Sequence, residues 1–117
     1  MASKTGKLKV VQILLGRRAE VGTQNDLGLT PLHMASQEGH PEVTRWLLIY
    51  GAKVGARDAD GETPLHLSAY YGHVGVTDLL LKRGANIHDQ NEEGETPFDL
   101  ASKERHNVVA TLLVMKG

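Results

Sequence analysis

Three stretches of the chain carry an apolar stripe at helical spacing. Val43, Trp46 and Leu47 stand at i, i+3 and i+4, as do Val76, Leu79 and Leu80, and then Val109, Leu112 and Leu113. This pattern predicts helices over roughly 41–50, 74–83 and 107–115, each burying its stripe, Trp46 included, in a core. Val10 and the run Ile13-Leu14-Leu15 repeat the phase upstream. A shorter helix is predicted before each long one. Thr30, Thr63 and Thr96 are each followed by Pro. Thr caps a helix N-terminus well, and Pro is tolerated at the first helical position, where its missing N–H removes no bond. These short helices stop at Gly39, at Gly72 and near Arg105. Gly51 and Gly84 follow the long helices, where a left-handed residue ends a helix. The polar segments that lead to Gly28, Gly61 and Gly94 read as turns.

The pattern has a fixed period. Thr30-Pro31-Leu32-His33 returns 33 residues later as Thr63-Pro64-Leu65-His66, and again in altered form as Thr96-Pro97-Phe98-Asp99. A period in this range marks a stack of units, none of which buries its own apolar face. The frame extends upstream, where Gly6 aligns with Gly39, Val10 with Val43 and Gly28 with Gly61. One domain over 1–117 is therefore expected. It would hold a partial repeat at 6–27, repeats at 28–60 and 61–93, and a C-terminal repeat at 94–117.

The residues that carry the period also carry a resemblance. Asp58-x-Asp60-Gly61, then Thr63-Pro64-Leu65-His66, Gly72-His73, and Val76-x-x-Leu79-Leu80-Leu81-x-x-Gly84-Ala85 resemble the ankyrin repeat, and the likeness runs from Gly6 onward. It implies an all-α fold, an ankyrin-repeat solenoid of stacked antiparallel helix pairs with projecting β-hairpin-like loops. It also implies a concave face made of loop tips and first helices, and a binding protein without chemistry of its own. Some positions depart from the family pattern. Arg18 stands where Gly51 and Gly84 stand, Arg105 replaces the Gly39 type, and Asp99 replaces the motif His. Gly22, Gly55 and His88 stand where the family has a loop Asn. Gly75 lies inside a helix, at a cost of about 1 kcal/mol relative to Ala.

Composition narrows the function. The formal net charge is −1 and the chain has no Cys. Near-neutrality gives no case for nucleic acid or an anionic membrane as partner. Without Cys there is neither a disulfide framework nor a thiolate metal site. The first residues lack the apolar core of a signal peptide, and no apolar run is long enough to span a bilayer. An intracellular protein, cytoplasmic or nuclear, is the expectation. No enzyme and no cofactor are expected, because nucleophile elbows, phosphate loops and metal-spaced His pairs are all missing. His33 and His66, and likewise His40, His73 and His106, recur with the repeat. Recurrence points to a structural job, which in the family is hydrogen bonding between first helices and loops. Ser36, Ser68 and Ser102 occupy small-residue positions of first helices.

A binding face is expected where the repeats differ. Tyr70 and Tyr71 stand where the neighbouring units have the polar pairs Gln37-Glu38 and Lys103-Glu104. Polar equivalents mark a surface position, and exposed tyrosine is a typical interface anchor. Two loop tips are acidic, with Asp58, Asp60 and Glu62 in one and Glu92, Glu93 and Glu95 in the next, while the first tip carries Leu27 and Leu29. The candidate partner-binding set is therefore Leu27, Leu29, Gln37, Glu38, Asp58, Asp60, Glu62, Tyr70, Tyr71, Glu92, Glu93, Glu95 and Lys103. The expected partner is a protein or peptide with a basic segment, because an acidic rim steers cations. Arg45, Lys53, Lys82 and Arg83 fall on or just after the long helices, which makes the molecule dipolar. A second expectation belongs to a different class: an assembly module, with a homodimer through Leu8, Val11 and Leu15 at the N-terminal edge. Selected binders built on this family vary at the Gln37, Glu38, Tyr70 and Tyr71 positions, so a natural array and an engineered one share the same face.

Overall fold

The computed structural model describes residues 21–116, and these form six helices and no strands. In chain order they are α1 (Pro31–Glu38), α2 (Pro41–Ile49), α3 (Pro64–Tyr70), α4 (Val74–Lys82), α5 (Pro97–Lys103) and α6 (Asn107–Lys116). Each odd-numbered helix starts as the Thr-Pro pairs predict. The hydroxyls of Thr30, Thr63 and Thr96 accept the third helical amide. The bond is returned: the Thr30 amide donates to His33 Nδ1 at 3.0 Å, that of Thr63 to His66 Nδ1 at 3.1 Å, and that of Thr96 to Asp99 Oδ2 at 2.9 Å. This is a capping box in which histidine twice takes the place that Glu or Gln usually holds.

The turn into each even-numbered helix needs a left-handed residue. Gly39 has φ 74°, and a Cβ there would enter the imidazole of His73. Arg105 occupies the equivalent place in the last unit, with φ 61°. It is the only non-glycine with positive φ among the described residues. Such short links fold each pair back antiparallel.

The pairs stack in two layers: α1 packs on α3 and α3 on α5, while α2 packs on α4 and α4 on α6. The core between the layers is aliphatic, with Leu32, Leu65, Val43, Leu47, Val76, Leu80, Val109 and Leu113 all buried. One expectation fails here. Trp46 is 41% exposed, so it is not a core residue. The buried stripe of α2 is Val43, Thr44 and Leu47 instead. Thr44 and Thr77 can be buried because each hydroxyl donates to the carbonyl four residues back, at 2.8 Å to His40 and 2.7 Å to His73. Trp46 lies on the solvent side of α2 with its ring 6.1 Å from that of Tyr50.

The loops project as hairpin-like turns, each organised by one side chain. The Asp58 carboxylate accepts the amides of Asp60 and Glu62, both at 2.9 Å. Asn25 and Asn91 do the same in their own tips. The tips are then tied to one another. The Ala59 amide donates to the Leu27 carbonyl at 2.9 Å, and that of Glu92 to the Asp60 carbonyl at 3.0 Å. The Arg57 guanidinium donates to the carbonyls of Gly61 and Gln90 at 2.9 and 2.7 Å, joining two tips. A Cβ on Gly61 would stand 3.0 Å from the Glu92 amide nitrogen, so this close approach requires glycine.

Three of the five recurring histidines, His33, His66 and His73, bridge neighbouring units. Nδ1 of His33 is an acceptor, so Nε2 carries the proton and donates to the Glu62 carbonyl at 2.8 Å. His66 does the same to Glu95, also at 2.8 Å. His73 Nε2 reaches back to the Gln37 carbonyl at 2.8 Å. The partial first repeat, with Leu8, Val11, Leu15 and Arg18, lies outside the described residues.

Candidate functional site

Two tied tips and two short helices enclose a groove of about 380 Å³. Its base is apolar, made by Leu67 of α3 and Leu100 of α5, both buried. Tyr70 and Tyr71 form one wall, and Asp60, Glu92 and Glu93 form the rim. Between base and rim lies a polar network. Asn91 Nδ2 donates to Glu62 Oε1 at 2.8 Å and to Glu95 Oε1 at 3.2 Å, and Lys103 Nζ meets Glu95 Oε2 at 3.3 Å. The hydrogen bonds from Asn91 and then Lys103 hold the Glu95 carboxyl below its ordinary pKa. The Glu95 hydrogen bond and charge raise that of Lys103. Lys103 is exposed and Glu95 half-buried, so this pair orders the groove and contributes little to stability.

The two tyrosines owe their exposure to position. Tyr70 ends α3 and Tyr71 is its C-terminal cap residue, beyond the part of the helix that the neighbouring helices cover. They are 37% and 46% exposed. Their rings meet edge to face at 4.9 Å, a favourable aromatic geometry. The Tyr71 ring also stacks on His73 at 6.4 Å and 21°. Because His73 is itself bonded to Gln37, the wall is held in place before anything binds.

The groove brings together Asp60, Glu62, Tyr70, Tyr71, Glu92, Glu93, Glu95 and Lys103 from the expected set. Leu27, Leu29, Gln37, Glu38 and Asp58 do not line it. Leu27 is exposed on the first tip, whereas Leu29 is half-buried. The main-chain carbonyl of Gln37 accepts from His73, Glu38 stands 3.9 Å from His40, and the Asp58 side chain is used within its own loop. Three groove residues were not anticipated: Asn91, Leu67 and Leu100. For Asn91 the signal was available, since it aligns in the period with Asn25 and Asp58, both of which organise a tip.

Among the described residues no group of His, Asp and Glu has the geometry to hold a metal ion. No helix there is long and apolar enough to cross a membrane. The groove presents a rigid, concave surface with exposed aromatic rings and unbalanced negative charge. Comparison with known proteins agrees with the architecture: a family model for ankyrin repeats, in three copies, matches residues 1–91 and 48–117. No curated protein matches the chain.

Proposed function

The chain belongs to the ankyrin-repeat family, whose members generally mediate contacts between proteins, and from that premise we propose that it binds a protein or peptide partner in the groove walled by Tyr70 and Tyr71. The observation that carries this reading is the tyrosine pair: large aromatic rings exposed at positions where the other units have Gln37-Glu38 and Lys103-Glu104. Held rings bury area on binding with little further loss of freedom, which is why tyrosine anchors interfaces. The rim adds selection by charge. Five carboxylates, Asp60, Glu62, Glu92, Glu93 and Glu95, face the groove with Lys103 as the single cation. A partner with a basic segment is therefore favoured, with an on-rate that falls as salt rises.

A peptide-display selection against the immobilised protein tests this. A Tyr70→Ala/Tyr71→Ala variant, shown by circular dichroism to keep its helices, serves as the control. Selected peptides should be enriched in Lys or Arg and should lose at least tenfold in affinity on the variant, the cost of about 1.4 kcal/mol expected for an anchor pair. Peptides that bind both proteins equally would place the binding surface elsewhere.

A further inference from the structure

Resting on that reading, we infer that the groove takes an arginine side chain in particular, stacked on Tyr71 and paired with the rim carboxylates. The groove separates its acidic residues into two sets. Glu62 and Glu95 are already engaged below the rim, by Asn91 and Lys103. Asp60, Glu92 and Glu93 form no ion pair with a described residue. They stand on two tips joined by the Glu92 amide bond to the Asp60 carbonyl, so their spacing is fixed. An entering cation therefore meets Asp60 and Glu92, which no described cation engages, and Glu93, whose charge also acts on Lys103, on a rigid frame beside an aromatic wall.

Arginine fits this arrangement better than lysine for three reasons. Its planar guanidinium can stack on a tyrosine ring while its N–H fork meets a carboxylate side-on, whereas an ammonium is a point charge that satisfies one group at a time. It is less strongly hydrated, so entering a partly enclosed cavity costs it less. The third reason is local. Lys103 already presents an ammonium to the groove at Glu95, and an incoming lysine would compete with it for the same kind of contact. A guanidinium over the tyrosine wall uses a surface that Lys103 does not occupy. The apolar base of Leu67 and Leu100 accepts the methylene stem.

Titration of the ¹⁵N-labelled protein with the peptide acetyl-Gly-Arg-Gly-Arg-Gly-amide, and with its Lys counterpart, decides the matter. The arginine peptide should move the amides of Tyr70, Tyr71, Glu92 and Glu93, and should bind about tenfold more tightly than the lysine peptide, because only the planar guanidinium stacks on the ring while its fork meets a carboxylate. Tyr71→Leu should erase that preference. Tyr71→Phe should keep it, which separates ring stacking from a change in packing. Equal affinity for the two peptides would overturn the arginine assignment and leave the partner-binding groove standing. Shifts confined to other surfaces, or none with either peptide, would also overturn it. A display-selected peptide without arginine that still needs Tyr70 and Tyr71 would sink this inference alone.

Discussion

The two inner helix starts and the last one share a cap but differ in what surrounds it. Thr30 with His33, Thr63 with His66 and Thr96 with Asp99 all close the same reciprocal bonds. Beyond the cap they part. His33 and His66 are fully buried and send Nε2 to the next loop, whereas Asp99 is exposed. Leu32 and Leu65 are 0% and 1% exposed, yet Phe98 at the same place is 40% exposed. Capping is thus a local property that any short acceptor satisfies, while stacking needs a donor that can cross to a neighbour. An Asp in an inner unit would point a carboxylate at a carbonyl, acceptor against acceptor.

That contrast can be broken most severely by exchanging the two residues. His66→Asp keeps the cap and loses the cross-link, leaving a buried charge without a partner. It should cost on the order of 3 kcal/mol in urea unfolding, whereas Asp99→His should stay within about 0.5 kcal/mol. Equal effects would mean that stacking does not depend on the histidine bridge.

Acid should act in the same direction. Burial lowers the His33 pKa below its ordinary value of 6.5, against smaller opposing effects from the Glu62 carbonyl, Asp58 and the Ala56 carbonyl. The folded state then binds fewer protons than the unfolded chain. The stability from this histidine is present in full above pH 6.5 and is lost as pH falls through the folded pKa. Unfolding midpoints at pH 8 and pH 5 should differ in that sense, and His33→Gln, whose amide can both accept and donate, should reduce the difference.

Smaller changes sharpen the comparison between equivalent positions. Ser36 Oγ is buried without a hydrogen-bond partner, while its counterpart in the next unit is Ala69. Ser36→Ala should stabilise by about 1 kcal/mol, measured as a rise in the urea midpoint at unchanged slope. Arg105→Gly relieves the left-handed backbone that Gly39 and Gly72 adopt freely. The gain should be about 0.5 kcal/mol, because glycine also makes the unfolded chain looser.

The fold was legible in the sequence because it rests on residues that act where they stand. Thr-Pro starts, glycine stops and the period are local signals, and the helices begin and end within a residue or two of where these put them. Trp46 shows where such signals stop. Its spacing from Val43 is helical, but Thr44, polar by type and satisfied through its own backbone, takes the buried position. Periodicity identifies a stripe and does not fix its rotation when a Thr lies beside it. At the proposed binding surface, Tyr70 and Tyr71 stood out by contrast with their counterparts. The separation of Leu27 from the tyrosine groove could not be read, because it depends on how far apart the first two tips stand once the Gln24 side chain and the Ala59–Leu27 backbone bond set their spacing. The division of carboxylates into engaged and open sets was hidden for the same reason, since it depends on where Asn91 reaches.

The most direct test is a footprint. Amide hydrogen exchange, run with and without a display-selected peptide, compares the groove with the exposed surface of α2 around Trp46 and Ile49. The account predicts added protection at Tyr70, Tyr71 and residues 91–95, with none on α2. Protection centred on Trp46 and Ile49, with the groove unchanged, would contradict it.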